Sequence, residues 1–196
     1  MMTLQSICVY CGSADHLPAA YLEAAYALGS QVARRGLQLW YGAGRTGLMG
    51  AVADGALQAG GEVIGVIPEL FNTPQLCHQG LTRLEVVEGM HQRKARLADQ
   101  ADGFIALPGG YGTLEEFFEI LTWAQIGLHR KPVGLLNTAG YYDPLLEMLE
   151  RARQERFVFG EHLSLFVTAT QPEQLLDELI NHRPPPDLER WLSREE

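Results

Sequence analysis

Apolar and polar positions along this chain follow two alternating rhythms. Residues 6–13 (SICVYCGS) are rich in β-formers and break at Gly12-Ser13, which predicts a strand ending in a loop. From Pro18 to Arg35 the rhythm is helical, with Leu22, Ala25, Tyr26, Gly29, Val32 and Ala33 on one stripe and Gly36 as the stop. The alternation recurs down the chain. Strands are expected at 37–42, 62–67, 82–87, 103–107, 132–136 and 163–168, and helices at 47–59, 90–101, from about 114 to 127, 143–155 and 172–182. Strands separated by helices predict βαβ units, hence an α/β fold with a mostly parallel sheet of about seven strands and helices on both faces. A single domain over 1–183 is expected. The run Arg183-Pro184-Pro185-Pro186 stops the last helix and leaves 184–196 as a short C-terminal extension. Ligands of open parallel sheets lie beyond the carboxyl ends of the strands, so the loops to search follow positions 13, 42, 67, 107 and 136.

Composition narrows the chemistry. The 196 residues carry 24 acidic and 15 basic side chains, a formal charge of −9, which disfavours nucleic acid and anionic membranes as partners. Any anion must be caught locally. The basic set is lopsided, with thirteen arginines against two lysines, Lys94 and Lys131, so only two positions could supply a Schiff-base amine. Three cysteines, Cys8, Cys11 and Cys77, are too few for a disulfide framework, and no basic leader or long apolar run is present. A cytoplasmic protein is expected. Cys8 and Cys11 lie at odd separation in a strand and so point to opposite faces. The six histidines show no ligand spacing, and no Gly-x-Ser-x-Gly elbow exists; neither a metal nor a bound cofactor is expected.

Three constellations remain. Gly42-Ala43-Gly44-Arg45-Thr46-Gly47 spells G-x-G-x-x-G between a strand and a helix, but the acid a dinucleotide site needs at the end of the next strand is missing. It reads either as a tight glycine turn with close backbone approach or as an NAD site. Pro108-Gly109-Gly110-Tyr111-Gly112-Thr113-Leu114-Glu115-Glu116 follows an apolar strand and opens a helix, where backbone N–H groups and the helix start can cradle a phosphate. Thr113 and Glu116 also have the spacing of a capping box, with Glu116 expected to lie off the buried stripe of Leu114, Phe117, Phe118, Leu121 and Ala124. Arg93, Lys94 and Arg96 put cations in the first half of a helix, against its dipole; the cluster is either a solvated basic face or the partner of an anion or carboxylate.

Taken together, Gly89-Met90-His91-Gln92-Arg93-Lys94-Ala95 and the run from Pro108 to Glu116 resemble the paired signatures of the Lonely Guy (LOG) family. Cys11-Gly12-Ser13, Tyr41-Gly42-Ala43-Gly44, Gly47-Leu48-Met49-Gly50 and Thr122-Trp123-Ala124-Gln125 extend the resemblance over residues 5–180. These are cytokinin riboside 5′-monophosphate phosphoribohydrolases, often mislabelled lysine decarboxylases. The resemblance implies a Rossmann-like fold, a homodimer, and hydrolysis of the N-glycosidic bond of N6-modified adenosine monophosphates to free base and ribose 5-phosphate. It puts the catalytic pair on Arg93 and Glu116. Substrate contacts fall on Gly12, Ser13, Gly44, Gln75, Met90, Lys94, Gly109, Gly110, Tyr111, Gly112, Thr113, Leu114, Glu115 and Thr122. Ala43, Ala14 and Gln75 depart from the family's usual glycine, serine and glutamate. The alternative from a different class is a non-catalytic nucleotide-binding, sensing or carrier module of the same fold.

Overall fold

The computed structural model describes residues 4–186 and residue 188. Seven strands form one all-parallel sheet: β1 (Ser6–Tyr10), β2 (Gln38–Tyr41), β3 (Val63–Pro68), β4 (Arg83–Val87), β5 (Gly103–Ala106), β6 (Val133–Leu136) and β7 (Phe166–Ala169). Their spatial order is β4-β3-β2-β1-β5-β6-β7. Six α-helices alternate with them: α1 (Ala19–Arg34), α2 (Gly47–Gln58), α3 (Met90–Gln100), α4 (Tyr111–Gln125), α5 (Asp143–Gln154) and α6 (Pro172–Asn181).

The central strands are buried almost throughout and, apart from Ser6 and Gln38 at the starts of β1 and β2, carry no polar side chain, because both their faces are covered. Ile7, Val9 and Cys11 face a core shared with Ala25, Leu28 and Val32 of α1, Val52 and Ala56 of α2, and Leu175 and Leu179 of α6. Cys8 and Tyr10 face the other core, with Leu97 of α3, Phe117 and Ile120 of α4, and Tyr142. The two cysteines therefore sit on opposite faces, as their odd spacing requires. Burial pushes both thiols far above the ordinary cysteine range, which keeps them protonated and unreactive.

The predicted boundaries differ at two places that matter. The last strand starts at Phe166 rather than 163, because Gly160–Ser164 forms a 3₁₀ turn closed by Leu165 N–H on the His162 carbonyl. Helix α4 begins at Tyr111 rather than 114, with Gly110 as its extended N-cap and the Leu114 N–H on the Gly110 carbonyl at 3.1 Å. The expected extension 184–196 falls largely outside the described residues. No helix among the described residues is long and apolar enough to cross a membrane.

The strand order carries the functional consequence. The chain runs from β1 outward through β2, β3 and β4, then returns to the other side of β1 to place β5. The connections leaving β1 and β5 thus diverge to opposite sides, and the crevice between them is where open α/β sheets bind ligands.

Candidate active site

At that switch point a cleft of about 490 Å³ opens beyond the strand ends. The loop after β1 supplies Cys11, Gly12, Ser13 and Ala14, and the loop after β5 supplies Pro108, Gly109 and Gly110. Helix α3 adds Met90 and Arg93; α4 adds Gly112, Thr113, Glu115 and Glu116; and Leu17, Tyr21, Leu48, Met49 and Tyr141 form an apolar and aromatic wall.

The two loops are tied to one another. Gly12 donates its N–H to the Pro108 carbonyl at 3.1 Å, and its own carbonyl accepts the Leu48 N–H at 2.9 Å and the Met49 N–H at 3.3 Å. Two free amides of the α2 N-terminus are thereby used on Gly12, in the position where a dinucleotide pyrophosphate would need them. The glycine-rich run before α2 serves the same packing. A Cβ on Gly42 would lie 1.9 Å from Nη2 of Arg93, so this glycine is the space into which the guanidinium fits. The tight-turn reading of residues 42–47 accounts for the run without a nicotinamide cofactor.

Arg93 and Glu116 meet at the floor of the cleft. Their side chains pair at 2.8 Å between Nη1 and Oε1, Arg93 also donates from Nε to the Val66 carbonyl at 3.3 Å, and the two residues are 7% and 5% exposed. Arg93 sits in the first turn of α3 against the dipole because its charge is aimed across at Glu116 and the end of β3. Burial raises the Glu116 carboxyl above its ordinary value, and the Arg93 charge and hydrogen bond only partly offset this. The result is a carboxylate more basic than usual, held in one orientation by a cation. Its neighbourhood corrects the capping-box reading. Gly110, not Thr113, is the N-cap of α4, and Thr113 and Glu116 are both buried inside the helix on the stripe with Phe117, Ile120, Leu121 and Ala124.

The other two members of the basic cluster and the second lysine each have their own partners. Lys94 forms ion pairs with Glu115 and, at 2.9 Å, with Glu119, which hold its ammonium charged. Arg96 pairs with Glu85 at 2.6 Å and lies over the Trp40 ring. Lys131 donates to the Ala98 carbonyl at 2.6 Å, at the end of α3. Neither lysine is free in the cleft.

Of the residues singled out from sequence, Gly12, Ser13, Met90, Arg93, Gly109, Gly110, Gly112, Thr113, Glu115 and Glu116 wall the cleft. Lys94 reaches it only through Glu115. Tyr111 is 95% exposed, and Leu114 follows it on α4 without lining the cleft. Gly44 bridges to Cys77 beside Met49, and Gln75 is exposed on the loop after β3. Thr122 lies farther along α4, against a smaller cavity beside Leu149 and Phe166. Tyr21 and Tyr141 also line the cleft although no sequence motif marks them; the one signal for Tyr141 is its place in the loop after position 136. No cluster of metal-ligating side chains occurs among the described residues.

A doubly wound parallel sheet with a phosphate-type glycine loop and a buried Arg–Glu pair at its switch point defines a Rossmann-like small-molecule site. Comparison with known proteins specifies it further. Residues 49–179 match a family described as possible lysine decarboxylase. A cytokinin riboside 5′-monophosphate phosphoribohydrolase of Rhodococcoides fascians is 52% identical over 157 residues, 80% of this chain and 79% of that protein. The cytokinin riboside 5′-monophosphate phosphoribohydrolase LOG of Oryza sativa subsp. japonica is 46% identical over 178 residues, 91% and 74% of the two chains. A solved molybdenum cofactor binding protein from Rippkaea orientalis superposes with a TM-score of 0.68 at 25% identity, covering 90% of this chain and 96% of its own. The chain belongs to the LOG family of cytokinin riboside 5′-monophosphate phosphoribohydrolases. The decarboxylase description does not fit the site, since Lys94 is held by two carboxylates and Lys131 by backbone carbonyls.

Proposed function

We propose that this protein hydrolyses the N-glycosidic bond of N6-modified adenosine 5′-monophosphates, giving the free base, a cytokinin or adenine, and ribose 5-phosphate. The observation that carries the reading is the buried Arg93–Glu116 pair facing a cleft rimmed by the glycine loop 109–112. The amides at the start of α4 hold the phosphate, and the helix dipole adds favourable potential. Anchoring the phosphate spends remote binding energy on orienting C1′ over the floor of the cleft. Glycosidic cleavage passes through an oxocarbenium-like state. Glu116 stabilises that charge and accepts a proton from the attacking water while the base departs with the bonding electrons at N9, the transferred proton ending on the base. Arg93 keeps Glu116 ionised and aligned. The apolar wall of Leu17, Tyr21, Leu48 and Met49 offers a surface for the base and its N6 substituent.

The chain is proposed to work as a homodimer in the cytoplasm, in line with its family and with three unpaired, buried cysteines. A carrier of the same fold would bind AMP without turnover. The experiment is direct: purified protein is incubated with AMP, isopentenyladenosine monophosphate, GMP and CMP, and free base and ribose 5-phosphate are measured. Binding with no ribose 5-phosphate from any of them would replace the hydrolase reading with the carrier one.

A further inference from the structure

The carbonyl groups of the phosphate loop are held from outside it by two consecutive tyrosines. Tyr142, 2% exposed, donates its hydroxyl to the Leu107 carbonyl at 2.6 Å, and Tyr141 donates its hydroxyl to the Gly109 carbonyl at 2.6 Å. On the other edge of the same segment the Pro108 carbonyl accepts the Gly12 N–H at 3.1 Å. Three successive carbonyls at the end of β5 are therefore each engaged.

The loop that presents the tyrosines is built for that purpose. Ala139 and Gly140 both adopt left-handed backbone, at φ 52° and 70°, and the alanine is a residue for which this conformation is costly. The Asn137 side chain accepts the Tyr142 N–H at 2.7 Å and donates to Asp143 at 2.7 Å, closing the turn from inside. The Tyr141 ring is packed edge-on against Tyr142 at 5.0 Å and against Tyr21 at 5.9 Å, while 42% of the residue stays exposed at the cleft wall.

We propose that the Tyr141 hydroxyl is a positioning group for the phosphate subsite, acting through the 109–110 peptide. This rests on the phosphoribohydrolase reading and deepens it. In a trans peptide the C=O and the following N–H point in opposite directions, so a carbonyl tied to Tyr141 fixes the direction of the Gly110 N–H. The bond also occupies an acceptor whose lone pairs would otherwise be free beside a bound anion. Gly109 cannot take over this fixing by its own packing. A Cβ there would stand 2.1 Å from Thr113 Oγ1, so the position must remain glycine, with glycine's torsional freedom.

The test is Tyr141→Phe, which keeps the ring and deletes only the hydroxyl. Binding of ribose 5-phosphate and of free adenine is measured by calorimetry, with melting temperature alongside. The phosphate-bearing ligand is expected to weaken by about tenfold, the scale of one hydrogen bond, while adenine stays within about twofold and the melting temperature is nearly unchanged. Equal weakening of both ligands, or no change in either, overturns the assignment. Wild type that binds ribose 5-phosphate but releases no base would fail the hydrolase reading and leave this one to the binding ratio. Wild type that does not bind ribose 5-phosphate at all would overturn the assignment of Tyr141, while the hydrolase reading stands or falls on base release.

Discussion

Gly42→Ala adds a single methyl group three elements away in sequence from the residue it would disturb. The new Cβ would lie 1.9 Å from Nη2 and 2.9 Å from Cζ of Arg93. Non-bonded heavy atoms settle near ~3.5 Å, so the guanidinium must retreat by roughly 1.5 Å. Its 2.8 Å hydrogen bond to Glu116 then opens beyond hydrogen-bond range. Gly42 is not among the positive-φ residues, so alanine costs nothing in backbone strain and the effect is steric alone. Misplacement of a positioned group by about 1 Å costs on the order of 10²-fold in rate, or ~2.7 kcal/mol of transition-state stabilisation. The assay is kcat/KM for base release from a nucleoside 5′-monophosphate, with circular dichroism and melting temperature to establish that the variant is folded. A folded Gly42→Ala protein within threefold of wild type would refute the reasoning that Arg93 must sit where it does.

The other predictions concern the same floor and its supports. Glu116→Gln should retain nucleotide binding and lose about 10³-fold in kcat, measured under saturating substrate; a loss below tenfold would remove Glu116 as the base. Because burial raises its carboxyl above the ordinary value near 4.5, activity should fall as pH drops through a midpoint above 4.5, seen in the acid limb of log kcat/KM. The linked stability has the opposite sense. Protonated Glu116 favours the fold, a contribution complete below the unfolded value and lost as pH rises through the folded one, so wild type should lose stability relative to Glu116→Gln across that window. Lys94→Met leaves Glu115 and Glu119 without their cation near an anion site, and KM should rise about tenfold with kcat little changed. Tyr142→Phe leaves the buried Leu107 carbonyl unsatisfied and should cost ~1–3 kcal/mol in urea unfolding.

Much of the fold is legible in the sequence because a parallel strand buried on both faces must be an apolar run, and β3, β5 and β6, and β1 after Ser6, are such runs. The start of α4 is not. Gly110-Tyr111-Gly112 has poor helix propensity, while Thr113 and Glu116 mimic a cap, yet the helix begins a turn earlier because the Gly110 carbonyl accepts the Leu114 N–H. Arg93 and Glu116 are recognisable as a motif pair, but not their burial. A carboxylate is assigned to the surface unless a partner is known, and here the partner lies 23 residues away on another helix. The reason for Gly42 is likewise a side chain from α3, and Tyr141 and Tyr142 act on carbonyls of β5 and its loop. Neither contact leaves a local pattern in the chain.

On this reading the cleft between β1 and β5 breaks the glycosidic bond of a nucleotide held by its phosphate. That is tested most directly by comparing isopentenyladenosine 5′-monophosphate with the same riboside lacking phosphate, following base and ribose 5-phosphate by chromatography. Equimolar base and ribose 5-phosphate should form from the monophosphate, with release at least 10²-fold slower from the riboside and about 10³-fold slower with Glu116→Gln. Equal turnover of both substrates, or release undiminished in Glu116→Gln, would contradict that reading.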